Sequence, residues 1–396
     1  MEKVLLAGVL FNKKDEPILF ESMEELCLLA KTLNSEVVEK IIQKKESPDP
    51  ATFIGRGKAE EIAKFVKENK IKAVIFDFDL SPSQVSNLEK IIECKIIDRT
   101  WLILSIFAEK AKTEEAKVQV SLAQYEYLLP RLTKQWTHLS RQWGGIGTKG
   151  VGEKQLELDK RVVKERINHL KNELKKIEKK RDITFKSHQN FPRVAIVGYT
   201  NAGKSTLFNL LTNSNVKTSN MLFSTLDPKV SKLKKSKIPI LFSDTVGFLK
   251  NLPHHLIASF KSTLKEAIFA DLVLHIVDRS HPNFEIQEKV GYEILGSLNI
   301  PKERVITVYN KADLIFEDKK IEFPFISAKN EWGIENLLLK IEEKILSNFT
   351  LIKRSFEYIS RKDLRDIIKN NCVYNWEKVN NHYKVTFWVR KSPFSF

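Results

Sequence analysis

A chain of 396 residues, 42% hydrophobic and 29% charged with 14 glycines and 13 prolines, has the composition of a globular protein too long for one ordinary domain. Collagen-like, disordered and disulfide-scaffold classes are thereby excluded. Its 66 basic residues against 50 acidic leave a formal charge of +16, which calls for a polyanionic partner: nucleic acid first, an anionic membrane face second. Cys27, Cys94 and Cys372 lie far apart with no CxxC spacing, so they read as reduced thiols rather than as a disulfide or zinc framework. No apolar run reaches the roughly 18 residues of a membrane span, and the start MEKVLLAGVLFNKKDEP has no cleavage site. The expected location is cytoplasmic, with a peripheral position at the membrane as the alternative.

Residues 1–99 alternate strand-type apolar runs with amphipathic helical stretches. KVLLAGVL precedes SMEELCLLAKTL, and KAEEIAKFVKENK leads into KAVIFDF and then SPSQVSNLEKII, where Ser81 stands as a helix cap. This predicts a small α/β domain with a largely parallel sheet. From Thr100 the pattern turns to long helices, one over about Trp101 to Leu132 and one over about Gly152 to Arg181, joined by the glycine-rich basic loop GGIGTKGVG. Leu156, Val163, Ile167, Leu170, Leu174 and Ile177 follow heptad spacing and predict an antiparallel helical arm over 100–190. Its tip sets Trp136, His138, Arg141 and Trp143 beside glycines. That mixture of cations, flat rings and open backbone suits stacked RNA; a solvated helical face is the plain alternative.

Over 191–349, strand-type runs at PRVAIVG, ILFSDTVG, DLVLHIVD, RVITVYNK and FPFISAK are separated by helical patterns, which predicts a doubly wound, mostly parallel sheet. Residues 350–396 add a short helix near Lys362 to Asn370 and two strand-type runs, CVYNWEKV and HYKVTFWV, turned at Asn380 and Asn381. This is a small α+β appendage without nameable chemistry.

GYTNAGKST, Gly198 to Thr206, matches GxxxxGK[ST] directly after the strand RVAIVG and before the helical stretch LFNLL, the context a phosphate loop requires. Gly198 and Gly203 let the backbone wrap a phosphate chain, with Tyr199, Thr200, Asn201, Ala202 and Thr206 completing the loop. Lys204 is expected on the β and γ phosphates and the Ser205 hydroxyl on Mg2+. DTVG (Asp244, Thr245, Val246, Gly247) ends the run IPILF; the Asp244 carboxylate is placed to hold a magnesium water and the Gly247 N–H to sense the γ phosphate. In NKAD (Asn310, Lys311, Ala312, Asp313) the Asp313 carboxylate can accept from N1–H and the exocyclic amine of guanine, donors that adenine lacks. SAK (Ser327, Ala328, Lys329) supplies a backbone N–H, expected from Ala328, to the guanine carbonyl. Each tetrapeptide alone is weak, but four in this order, each after a strand run, point to a GTPase.

Between the phosphate loop and DTVG, FSTLD (Phe223, Ser224, Thr225, Leu226, Asp227) holds the candidate second Mg2+ ligand, Thr225, with Ser224 as the fallback. Phe248 follows DTVG where many GTPases carry a glutamine that orients the attacking water, so hydrolysis must lean on another group. Asn201 either helps hold a monovalent cation, with K+ as the candidate, in place of an arginine finger, or only stabilises the loop. The residues expected to act on the transferring phosphoryl group are thus Lys204, Asn201, Thr225 and Gly247.

With these motifs placed, the chain resembles the HflX family of ribosome-associated GTPases. The resemblance extends beyond the shared GTPase motifs to FIGRGKAEEI at Phe53 to Ile62, LSPSQVSNLE at Leu80 to Glu89, IIDRTWLILSIFA at Ile96 to Ala108, LAQYEYLLPRL at Leu122 to Leu132, and WTHLSRQWGGIGTKGVGEKQLELDKR at Trp136 to Arg161. It implies an amino-terminal α/β domain and helical arm ahead of a GTPase domain like those of Obg proteins. It also implies Ser205 and Thr225 as magnesium ligands, FSTLD as the switch that closes on the γ phosphate, and a hydrophobic residue at Phe248. Family members bind the large ribosomal subunit and rRNA and are associated with splitting stalled or idle ribosomes under stress. The chain departs from the family pattern at Val151 and Lys154, where GPGE followed by Thr is usual, and at Ser105, where Asp is common.

The expected function is a GTP-hydrolysing switch, monomeric off the ribosome. Two other readings stand beside it: an RNA-remodelling ATPase regulated by its GTPase domain, and a membrane-associated signalling GTPase. The first would need a second phosphate loop, for which GRGK at Gly55 to Lys58 is too short, and the second a lipidation motif or an apolar-faced basic helix that the sequence lacks.

Overall fold

This computed structural model describes residues 1–132, 152–187, 190–212, 214, 229–234, 238–245, 247–248, 265–316, 322–357, 360–379 and 382–391, with backbone alone at 152–157, 180–187, 265, 361 and 369–370. The chain forms two compact units that divide within a long helix after Lys175.

The first unit opens with β1 (Glu2–Leu10), α1 (Glu16–Thr32), β2 (Ser35–Lys44), α2 (Arg56–Asn69), β3 (Ala73–Phe76), α3 (Pro82–Ile92) and β4 (Lys95–Asp98), whose strands form a parallel sheet in the order β2-β1-β3-β4. Strand alternation divides the layers. Leu5, Ala7 and Val9 face α2 and α3 through Ile62, Val66, Val85 and Leu88. On the opposite face α1 comes so close that a Cβ at Gly8 would lie 2.9 Å from Met23 Sδ. Ser81 caps α3 in a reciprocal box: its Oγ accepts from Gln84 N at 3.2 Å and Gln84 Oε1 accepts from Ser81 N at 2.9 Å. GRGK lies at the start of α2, where Lys58 pairs with Glu61 at 2.7 Å.

The single helix expected over Trp101 to Leu132 is two, α4 (Arg99–Lys110) and α5 (Glu114–Leu128), because Thr113 starts a new helix by accepting from Ala116 N at 3.2 Å. Helix α4 buries Leu102, Ile103, Ile106 and Phe107 and packs on α1, β3 and β4 as well as on α5, so it joins the sheet to the arm. The arm is α5 against α6 (Gly152–Ser187). Leu122, Ile167 and Leu170 form its buried seam, with Val118, Tyr125, Val163 and Leu174 beside them, and Lys171 pairs with Glu126 at 2.9 Å. The tip with Trp136, His138, Arg141 and Trp143 lies outside the described residues.

The second unit carries β5 (Arg193–Gly198), α7 (Lys204–Leu211), β6 (Lys229–Lys232), β7 (Leu241–Asp244), α8 (Lys265–Phe269), β8 (Leu272–Asp278), α9 (Phe284–Ser297), β9 (Val305–Asn310) and α10 (Ile334–Ser347). Its sheet runs β6-β7-β5-β8-β9, parallel except for β6. FPFISAK, expected as a further strand, makes only isolated bridges, the parallel Tyr309↔Phe325 and the antiparallel Ser327↔Trp332, and Pro324 has no N–H to extend the first into a ladder.

The appendage holds one strand more than its sequence suggested. β10 (Phe349–Glu357), α11 (Arg361–Asn370), β11 (Val373–Val379) and β12 (His382–Arg390) form an antiparallel sheet in the order β10-β12-β11 under α11. Its Phe349 and Cys372 sit in the same core as β5, β7 and β8, Trp388 packs beside them, and Arg390 pairs with Asp271 at 2.9 Å. Asn380 and Asn381 lie outside the described residues.

Candidate nucleotide site

Strand β5 ends at Gly198 between β7 and β8, at the carboxyl edge where open α/β sheets take ligands. Gly198 has φ +144° and a Cβ there would lie 2.2 Å from the Ile276 carbonyl oxygen; Gly203 has φ +91° and its Cβ would lie 2.2 Å from Asn310 Nδ2. Neither position admits a side chain. Between them Asn201, exposed, adopts φ +61°, a left-handed conformation that Asn tolerates better than most residues.

Lys204 is buried and folds back on its own loop, its Nζ donating to the Tyr199 carbonyl at 2.6 Å. Burial pulls its pKa down to about 8 against the opposing pull of Asp244. Ser205 Oγ donates to Asp244 Oδ2 at 2.7 Å. The hydroxyl and carboxylate expected near Mg2+ therefore lie side by side, a hard oxygen pair of the type that ion prefers, so the residues present fit it. Thr245 Oγ1 donates to Ile196 O at 2.8 Å, tying the start of DTVG to β5. A Cβ at Gly247 would stand 2.7 Å from Thr200 Cγ2 and 3.0 Å from Lys204 Nζ, which places this glycine directly on the phosphate loop.

Phe248 N donates to Gly198 O and Thr200 N to Phe248 O, both at 2.9 Å. The Phe248 ring is 4% exposed in a core with Val197, Tyr199 and Ala267. It is an anchor for the DTVG segment, with no polar atom to offer a water.

On the base side, Asn310 links two loops: its Nδ2 donates to Ala202 O at 2.8 Å and its Oδ1 accepts from Ala328 N at 3.0 Å. The Ala328 N–H expected at the guanine carbonyl is thus already engaged, and reaches a base only by sharing or releasing that bond. Ser327 Oγ donates to Asp313 Oδ1 at 2.5 Å and orients the carboxylate. Lys311, at φ +62°, pairs with Asp278 at 2.6 Å. The structure brings together the phosphate loop, Asp244, Thr245, Gly247, NKAD and Ser327–Ala328; FSTLD with Thr225, and Val246, lie outside the described residues.

One buried residue escaped the sequence reading. His275 lies in β8 opposite Val197, 1% exposed, its ring edge-on to Tyr292 at 5.3 Å. Burial, and next the charge of Lys204, pull its pKa down to about 4, so the ring is neutral near pH 7. The only signal was a lone His in the apolar run DLVLHIVD.

A phosphate loop on the central strand of a parallel sheet, with the aspartate of DTVG at its hydroxyl and NKAD latched to it, defines a P-loop GTPase. Residues 20–108 match the family described as GTP-binding GTPase N-terminal, 110–188 the GTP-binding GTPase middle region, and 193–311 the 50S ribosome-binding GTPase family. A GTPase HflX of Flavobacterium psychrophilum is 48% identical over 79% of this chain and 76% of its own length, and one of Lacrimispora saccharolytica is 42% identical over 90% and 86%. The chain belongs to the GTPase HflX family and hydrolyses GTP. A solved complex of SsGBP with GDP is 27% identical, covering 88% of this chain and 99% of that one at a TM-score of 0.49. Among the described residues no helix is long and apolar enough to cross a membrane.

Proposed function

We propose that the chain is a GTP-driven switch that binds the large ribosomal subunit through rRNA and splits or rescues idle or stalled ribosomes under stress. The observation that carries this reading is the match of residues 193–311 to a family of 50S ribosome-binding GTPases in a chain of net charge +16. A basic surface supplies long-range attraction to RNA, and a nucleotide-dependent loop sets when the attraction becomes binding.

Within this reading Gly198 to Thr206 hold the phosphates. Lys204 leaves the Tyr199 carbonyl, a neutral acceptor, for the β and γ phosphate oxygens. Ser205 and Thr225 would hold Mg2+, with Asp244 acting through a water, and the bound ion would supply neutralisation of charge on the transferring phosphoryl group. The Gly247 N–H, pressed on the loop by Phe248, senses the γ phosphate. Asp313, oriented by Ser327, selects guanine. Water attacks the γ phosphorus, the bond to the β-bridging oxygen breaks, and GDP and phosphate leave. Since Phe248 cannot orient that water, K+ held with help from Asn201, or the ribosome ordering the segment after Gly247, would supply the missing group.

The test is sedimentation of lysate with purified chain in a non-hydrolysable GTP analogue or in GDP. Co-migration with large subunits in the analogue and release in GDP is the expected result. Equal migration in both states, or migration with membranes, overturns it.

A further inference from the structure

His275 sits where the phosphate site meets the body of the domain. On one side its ring centroid is 6.5 Å from that of Phe248, whose backbone bridges to the phosphate loop at Gly198 and Thr200. On the other side it fills space made by a missing side chain: a Cβ at Gly291 of α9 would lie 2.2 Å from His275 Nε2 and 2.5 Å from Cε1. Its cross-strand neighbour Val197 shares a core with Tyr199 and Phe248. Among the described residues Nδ1 has no hydrogen-bond partner. A buried nitrogen without a partner costs stability, so an apolar residue of similar size would serve packing better. The residue is better accounted for by what it touches than by the stability it confers.

We propose that His275 is a positioning residue for GTP hydrolysis: wedged between Gly291 and Phe248, it is the stop that holds the Gly247–Phe248 backbone against the phosphate loop. The inference rests on the GTPase activity, not on the ribosomal reading. The chain of contact is short. Gly247 is packed on Thr200 and Lys204, the backbone of Phe248 beside it bridges to Gly198 and Thr200, and the His275 ring lies next to that of Phe248. A ring displaced toward Phe248 shifts the Gly247 N–H relative to the γ phosphate while leaving the base and β phosphate contacts in place. Such a shift lowers the rate of the chemical step without weakening ground-state binding.

The experiment compares purified full-length Gly291→Ala, His275→Ala and the double variant with the parent, measuring kcat, KM for GTP and the dissociation constant for GDP without ribosomes. Gly291→Ala drives the ring toward Phe248 and His275→Ala removes the stop, so each lowers kcat about tenfold or more with KM and GDP affinity within about twofold. The double variant, in which the clash is gone, matches His275→Ala alone rather than the product of the two losses. Leu295→Ala, a cavity in the same core, separates positioning from packing: it loses thermal stability and keeps kcat. Unchanged kcat in folded His275→Ala, a loss of GDP affinity parallel to the loss of kcat, or an equal fall of kcat in Leu295→Ala overturns the proposal. If Gly291→Ala fails to fold, His275→Ala against Leu295→Ala decides it alone.

Discussion

The two parallel sheets of this chain both carry charged residues at the carboxyl ends of their strands, and they treat them in opposite ways. In the N-terminal sheet Asp77, just past β3, pairs with Arg99 at 2.6 Å, and Arg99 also reaches Glu25 of α1. Asp98, ending β4, accepts from Trp101 N at 2.8 Å, Tyr127 Oη at 2.6 Å and Arg131 at 3.2 Å, while the Arg131 guanidinium lies 3.5 Å over the Tyr127 ring. That edge is closed by cations and donors from the chain itself. In the second sheet only Asp278, ending β8, meets a cation among the residues compared, Lys311 at 2.6 Å, whereas Asp244 and Asp313 meet serine hydroxyls and Lys204 meets a carbonyl. Neutral partners of this kind yield to a phosphate, a metal ion or a base. Architecture alone therefore does not mark a ligand site; the charge of the partners at the strand ends does.

The largest expected effect breaks the closed edge. Arg99→Ala leaves Asp77 and Glu25 as buried carboxylates without their cation, and the first unit should lose about 3–5 kcal/mol of stability. Amide exchange over residues 1–130 measures it; protection unchanged from the parent would show that the pairing is dispensable. Next is acid. The folded pKa of His275 is lowered from 6.5 to about 4, so it contributes stability above 6.5 that is lost as pH falls toward 4, by up to about 3 kcal/mol. Urea unfolding of the second unit at pH 7 and pH 4 reads that slope, and His275→Phe should flatten it. Asp313→Asn tests the open edge: GTP affinity should fall by about 1–3 kcal/mol with a shift toward xanthine nucleotides, and unchanged affinity would remove Asp313 from the base site.

Local signals were the legible ones. Ser81 announces the cap of α3, and the phosphate loop announces itself within nine residues. The heptad stripe of α6 found its partner on α5, because periodicity records which face is buried. The break between α4 and α5 was hidden: Ala111, Lys112 and Thr113 contain neither Gly nor Pro, and Thr113 acts through a single hydroxyl. β10 was missed because FTLIKRSFE is exposed along most of its length and reads as polar. The Arg99 network joins residues 22, 25, 77 and 99, and His275 depends on an absent side chain at Gly291; neither leaves a pattern in a linear window.

The smallest expected effect concerns Asn201, and it separates two roles the sequence left open. Its φ of +61° is itself a structural duty, because most side chains cost roughly 1–2 kcal/mol there. Alanine at this position therefore changes two things at once, the amide oxygen and the backbone preference. Glycine changes only the first, since it enters the left-handed region freely. If the oxygen helps to hold a monovalent cation near the β phosphate, the parent should hydrolyse GTP faster in potassium than in sodium. A single added ligand makes on the order of tenfold, ~1.4 kcal/mol of transition-state stabilisation, the ceiling for that preference. Asn201→Gly and Asn201→Ala should then both lose it. If the residue serves only the loop, Asn201→Gly keeps the parent's rate in both salts, and Asn201→Ala falls in both alike. GTPase rates of the three proteins in the two salts decide between these outcomes, because the cation role predicts that the variants agree and the backbone role predicts that they part.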